Sequence, residues 1–161
     1  MRCPTCGEPM DCRRETYQYT GAGLDNVFLT DAQVCHCACG ESMVGLPALP
    51  ALHQRIGELL VAKPSLLTGP EIRFLRKNLR LNGQELAHWL GVDRATIYRW
   101  ESGAQTVGKA HDRLLRLIYA AVKRMSTEHV IESFQGIEPR QKPAPPFEIP
   151  AGNGMIASQA S

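Results

Sequence analysis

The sequence predicts a three-part chain: a small Cys-rich β-hairpin module, an all-α domain, and a disordered C-terminal tail. Three observations carry this reading. All six cysteines (Cys3, Cys6, Cys12, Cys35, Cys37 and Cys39) lie within the first forty of 161 residues. Helical periodicity with cap signals fills the middle. Beyond Phe134 the periodicity stops, and Gly136, Pro139, Pro143, Pro145, Pro146 and Pro150 lead into a Ser/Ala-rich end. Charge follows the same division. Residues 71–125 carry eleven Lys and Arg against five Asp and Glu, a balance of +6, while 1–70 and 126–161 each stand at −2. A basic middle suits a surface that faces phosphates, although a solvated helical domain can carry the same charge.

The boundaries expected are a module over 1–45, a linker with a short helix over 46–69, a helical domain over 70–126 and a tail over 127–161. In the module, Thr16–Thr20 and Val27–Leu29 are short β-prone runs, with Gly21, Gly23, Asp25 and Asn26 as turn residues between them. A hairpin separating two cysteine groups follows. So short a segment cannot bury enough apolar surface to fold unaided, so it needs a staple. Disulfides require an oxidising compartment. Met1-Arg2-Cys3-Pro4 opens straight into the module without an apolar h-region, and no run is long enough to span a bilayer. The expectation is a reduced, cytoplasmic protein that does not enter membranes, and a metal staple.

Cys3-Pro4-Thr5-Cys6-Gly7 has the spacing that brings two thiolates to one ion, with Gly7 allowing a tight turn. Its partner is sought in Cys35-His36-Cys37-Ala38-Cys39-Gly40, where the Cys-Gly pairing recurs but the spacing is irregular. The favoured set is Cys3, Cys6, Cys37 and Cys39, with His36 or Cys35 as replacements for Cys37, and Cys12 as a spare thiol. Four protein ligands to one Zn2+ make a closed, structural site. A redox use of Cys3-x-x-Cys6 would need a βαβ setting that the sequence does not supply. His53, His88, His111 and His129 are scattered without a nucleophile, so no enzyme activity is expected.

Leu52, Ile56, Leu59 and Leu60 predict a linker helix over about 51–62. Thr68-Gly69-Pro70-Glu71 reads as a helix start, followed by Ile72, Leu75 and Leu79 on one face. Two short helices follow, about Gln84–Leu90 and Arg94–Ser102, ending at Gly91 and Gly103, and then a longer one, about Ala110–Met125. The long helix displays Leu114, Leu117, Ile118, Ala121, Val122 and Met125. The two short helices have the makings of a helix-turn-helix. Ala87 is small enough for a crossing, Gly91 tolerates positive φ, Asp93 can cap the second helix, and Leu86, Leu90, Val92 and Ile97 form the wedge between them. Trp89 and Trp100 read as packing residues, Tyr98 as one that could be half-buried, and Glu101 as holding helix ends together.

Gln84, Ala87, Gly91, Ile97, Trp100, Glu101 and Gly103 closely resemble the Cro/CI-like (XRE-type) helix-turn-helix family. That geometry offers Arg94, Ala95, Thr96, Tyr98 and Arg99 to the major groove of double-stranded DNA, while Gln84 matches a backbone-contacting position. Arg99 is the leading candidate for a guanine contact, and Arg94 could instead grip phosphate. Together the two modules resemble the MqsA-type antitoxins, which join a YgiT-type zinc domain to such a helix-turn-helix. The resemblance covers about residues 1–125 and extends to Leu67–Lys77 and Gly23–Val27. It implies an antitoxin and autorepressor that dimerises through its DNA-binding domain and holds a ribonuclease toxin through its zinc domain. Ala95 stands where the family's best-known member has Asn, and the second knuckle is shortened. Both depart from the pattern. The competing readings are a stand-alone zinc-stabilised regulator and a redox or metal-handling protein.

Overall fold

The computed structural model describes residues 1–152, together with the backbone of 155–158. The chain divides into two compact units. The first comprises residues 1–20, 25–52 and the chain from Pro146 onward, and the second comprises 21–24 and 53–145.

The first unit is built on β2 (Val27–His36), which pairs antiparallel with β1 (Asp11–Gln18) and with β3 (Ser42–Leu46). β2 runs well past the Val27–Leu29 stretch that the sequence marks, and a bulge explains why. Glu15 lies opposite Ala32 and Tyr17 opposite Leu29, so Thr30 and Asp31 together face the single residue Thr16. Asp31 takes φ +56°, and Arg14 Nη1 donates to both its carbonyl and its carboxylate at 3.0 Å. An inserted residue reverses the side-chain alternation of a strand. Val27 and Leu29 before the bulge and Ala32 and Val34 after it are therefore all buried, and all face one side. Without the bulge, one pair would face water.

The tail expected to be disordered over 127–161 is ordered through much of its length, which corrects that expectation. It forms a helix, α6 (Thr127–Ser133), a 3-10 turn (Phe134–Gly136) and, first among its strands, β5 (Glu138–Gln141) and β6 (Phe147–Pro150). β6 joins the first unit's sheet parallel to Val27–Thr30 of β2, burying Phe147 and Ile149, and β7 (Met155–Ser158) pairs antiparallel with β3. Proline is tolerated where strand N–H groups are not needed, so the Pro-rich composition did not exclude these short pairings. Residues 153–154 and 159–161 lie outside the described residues.

Helix α1 (Leu49–Val61) ends beside β4 (Ser65–Leu66), which pairs parallel with β5 inside the second unit. Four further helices follow: α2 (Gly69–Asn78), α3 (Gly83–Leu90), α4 (Arg94–Glu101) and α5 (Lys109–Val122). Their starts are set by caps. Asn82 and Glu85 form a reciprocal capping box on α3, with Glu85 N donating to Asn82 Oδ1 at 2.9 Å and Asn82 N to Glu85 Oε2 at 2.7 Å. The Asp93 carboxylate accepts from Thr96 N at 2.6 Å, and that amide bond holds its pKa below the usual carboxylate range. Gly91, with φ +67°, closes α3.

The long helix corrects a second expectation. Its buried side is not the aliphatic stripe but Asp112, Leu115, Arg116, Tyr119 and Ala120, whereas Leu114, Ala121 and Val122 are exposed. Arg116 is fully enclosed. It donates to Asp112 at 2.9 Å and to the carbonyls of Val61, Lys63 and Ser65 at 3.1, 2.7 and 2.6 Å. Asp112 in turn accepts from Leu67 N at 2.7 Å. A second buried pair, Lys63–Glu71 at 2.6 Å, sits on the same turn, and Glu71 also accepts from Thr68 N. These charges are hydrogen-bonded on nearly every side, as buried ions require.

Gly57 of α1 lies against the buried Tyr119 of α5. A Cβ added there would fall 1.9 Å from the phenol oxygen, which donates to Asn78 at 2.8 Å. Gly57→Ala should destabilise the protein by about 1–3 kcal/mol in thermal or urea unfolding, because the ring has no room to retreat. Gly83→Ala, where the nearest atom is 3.9 Å away, should not.

Candidate metal centre and nucleic-acid interface

The four sulfurs of Cys3, Cys6, Cys37 and Cys39 lie within 4.8 Å of one another. The two halves that bring them together are built alike. In the first, Gly7 N donates to Cys3 O and Cys3 N to Glu8 O, both at 2.9 Å. In the second, Gly40 N donates to Cys37 O at 3.0 Å and Cys37 N to Glu41 O at 2.9 Å. Gly7 and Gly40 both take left-handed φ, +77° and +93°. Each turn therefore folds its chain back over its sulfurs and aims backbone amides at them. The loss of one residue from the second knuckle does not prevent this, since Cys37 and Cys39 still face the same point as the first pair.

The separations fit a tetrahedral ion. Ligand sulfurs at about 2.3 Å from a metal stand roughly 3.8 Å apart, and Cys3–Cys39 and Cys6–Cys37 measure 3.6 and 3.4 Å. The thiol electrostatics are uneven, as expected where sulfurs compete for protons. The Cys6 amide draws the Cys3 thiol down to about 7. The Glu8 amide lowers Cys6, yet the crowding of Cys37, Cys39 and Cys3, together with burial, carries it up to about 12. Cys39 is likewise lowered by the Glu41 amide but ends raised beside Cys37. Cys3 is thus drawn toward the thiolate while Cys6 and Cys39 are held back from it, and a shared cation would offset that resistance.

Neither alternative ligand joins this cluster. His36 turns away, its ring nitrogens 3.1 Å from Ser42 Oγ and 3.2 Å from Glu15 Oε1. Cys35 is bonded to Cys12, its direct cross-strand partner, so Cys12 is not the spare thiol the sequence suggested. The parity of β2 puts His36 on the face opposite Cys35 and Cys37, which a linear sequence of adjacent ligand types does not reveal.

In the second unit, α3 and α4 are joined by the tight turn Gly91–Asp93. Leu86, Ala87, Leu90, Ile97 and Trp100 are buried, and Val92 is partly so. The opposite side of α4 is open to solvent. Arg94, Ala95, Tyr98 and Arg99 are exposed, Thr96 is partly exposed, and Gln84 is exposed at the start of α3. Tyr98 is 69% exposed rather than half-buried, and Trp89 is 44% exposed rather than packed. Arg99 Nη2 donates to Thr96 Oγ1 at 2.9 Å and its Nε to Gln105 Oε1 at 3.3 Å, so the guanidinium is held against its own helix. Glu101 points away from this face. It accepts from Arg76 at 2.6 and 3.0 Å and from Arg73 at 3.3 Å, tying the end of α4 to α2. Arg76 and Arg116 are thus structural, and the basic count of the middle segment overstates the charge left for a partner.

A module whose four clustered cysteines could hold a metal ion, followed by a helical domain with an open short helix, defines a two-part class of protein. A family model described as the antitoxin component of bacterial toxin-antitoxin system, MqsA, matches residues 1–123. The chain belongs to that family. No curated protein and no solved structure matches it.

Replacing Cys6 or Cys37 by Ser should abolish stoichiometric metal retention, read by elemental analysis after dialysis. Cys12→Ser should leave it intact, and His36→Ala should do the same.

Proposed function

We propose that this protein is a zinc-stabilised antitoxin that represses transcription by inserting α4 into the major groove of operator DNA. The observation that carries the reading is the division of α4. Ile97 and Trp100 are buried, while Arg94, Ala95, Tyr98 and Arg99 are exposed on one face beside a capped N-terminus. A recognition helix of the Cro/CI-like type enters the groove by that end. Arg99 is the residue for bidentate readout of guanine, Arg94 and Gln84 are placed for phosphates, and Thr96 with Ala95 offers small contacts to a thymine methyl. Tyr98 adds an exposed aromatic to the same face.

The ion is taken to be Zn2+, one per chain, because four thiolates at tetrahedral separation suit it. With every position filled by protein the site holds the fold rather than a substrate, and no enzymatic role is assigned. The toxin is assigned to the N-terminal module, following the family. A recognition helix of eight residues needs a second copy to reach useful affinity, and the exposed apolar residues Leu114, Ala121 and Val122 of α5 give a second copy a surface to cover. Among the described residues no helix is long and apolar enough to cross a membrane.

Arg99→Ala should lower discrimination between operator and random duplex by about 1–3 kcal/mol while changing random-duplex binding little. Arg94→Ala should weaken both and make the salt dependence shallower, by a slope of about 0.9 for each phosphate that is no longer neutralised. Competition titrations at two salt concentrations read both effects. Undiminished discrimination in Arg99→Ala would remove α4 from sequence readout.

A further inference from the structure

The six cysteines of the first unit are not one set. Four converge on the candidate metal centre, and the remaining two, Cys12 and Cys35, are joined across β1 and β2 at directly opposed positions. The two groups share one apolar cluster: Cys3, Cys35 and Cys37 are buried there with Met10, and Cys12 and Met43 pack against it. The Cys12–Cys35 pair therefore lies beside the metal ligands but outside their coordination.

A chain that acts on DNA shares a compartment with abundant thiol reductants. In such compartments disulfides are cycled or redox-sensing rather than permanent. This step rests on the DNA-binding reading above. Access to the pair is also asymmetric. Cys35 is fully buried on the central strand, while Cys12 is partly exposed on β1. Among the described residues β1 pairs with β2 alone, and no described strand lies on its other edge.

We infer that Cys12 and Cys35 form a redox-active pair, distinct from the metal ligands, which accepts oxidising equivalents from a hydroperoxide and returns them to a dithiol reductant. The Cys12 thiolate attacks the peroxide oxygen, the O–O bond breaks, and water or an alcohol leaves. The resulting sulfenic acid is then attacked by Cys35, so that the S–S bond forms and water departs. Two thiols are oxidised and one peroxide is reduced. A dithiol of the thioredoxin kind reverses the exchange, becoming a disulfide itself.

The consequence lies in how the module is stapled. Sequence separation between the two cysteines is 23 residues, and their bond closes almost the whole β1–β2 hairpin. Reduced, the hairpin depends on the metal. Oxidised, it keeps its register when the metal is withdrawn, because the unfolded chain is confined. Oxidation thus makes the partner-binding module tolerant of metal loss.

The test uses the full-length, zinc-loaded protein treated with hydrogen peroxide or with a reduced dithiol, then challenged with a chelator. Fragmentation mass spectrometry should locate the oxidised linkage at Cys12–Cys35 with one equivalent of zinc still bound. After chelation, the reduced form should lose the hairpin's dispersed amide signals. The oxidised form should keep them, with the unfolded fraction of the module lower by on the order of a hundredfold. Cys12→Ser, at a partly exposed position, should behave as reduced under both treatments. Cys35→Ala serves as the second variant and should match it. The inference is overturned if oxidation links the knuckle cysteines and expels zinc, if Cys12 and Cys35 remain alkylatable, or if Cys12→Ser keeps its oxidation-dependent protection. Operator titration on the same samples reports the DNA-binding reading separately, since absence of thiol cycling with intact binding sinks only this inference.

Discussion

Four thiol sulfurs within 4.8 Å of one another cannot all carry charge unless a cation shares them. This constraint organises the first unit. The first ten residues form no named strand of their own, only a bridge between Arg2 and Pro9 and the turn around Gly7. What binds them to the turn between β2 and β3 is the sulfur cluster, with Thr5 Oγ1 reaching Glu41 at 3.2 Å beside it. The sheet supplies the other half of the arrangement. The bulge at Thr30–Asp31 turns Val27, Leu29, Ala32 and Val34 to one side and leaves Cys35 and Cys37 for the other. One inserted residue thus lets a ten-residue strand carry apolar residues on one face and Cys35 on the other, with the candidate ligand Cys37 immediately after its end.

The second unit carries paired charges within its apolar interior, Arg116 with Asp112 and Lys63 with Glu71. Arg116 collects three carbonyls from the segment between α1 and β4, and Asp112 collects the amide that follows. Breaking one member would leave its partner ionised and enclosed, which costs far more than the pair's net contribution to stability. The arrangement fixes the chain leading into α2. α2 in turn carries Arg73 and Arg76, which grip Glu101 at the end of α4. The open face of α4 is therefore held by a series of contacts beginning at a buried guanidinium. The groove-reading role proposed for α4 needs that rigidity, since side chains that meet base edges must hold a fixed register.

Much of this was legible in the sequence where a local rule suffices. Cys-x-x-Cys-Gly and Cys-Gly marked the two knuckles, Gly91 and Asp93 marked the turn, and Leu86, Ala87 and Ile97 marked the wedge. The sequence predicts α3 from about Gln84, and the capping-box pattern Asn82-x-x-Glu85 is the signal that marks its observed start at Gly83. The misreadings arose where distant parts of the chain decide. Arg116 looks like a surface residue until three carbonyls from elsewhere surround it, and with it buried, Leu114, Ala121 and Val122 of the aliphatic stripe lie exposed. β5 and β6 are four residues each in a Pro-rich stretch, and only their partners β4 and β2 make them strands. The choice among Cys35, His36 and Cys37 as third ligand depended on strand parity, and that parity is set by a bulge that two polar residues, Thr30 and Asp31, conceal.

The function proposed above assigns the toxin to the cysteine module. The most direct measurement is affinity capture of the full-length protein from cells that also express its immediate chromosomal neighbours, alongside a Cys3→Ser/Cys6→Ser variant. The predicted result is recovery of one small neighbour-encoded protein that arrests growth when expressed alone, and its absence from the variant while operator DNA is still bound. Recovery of DNA with no neighbour-encoded protein, or equal capture by the variant, would contradict that assignment.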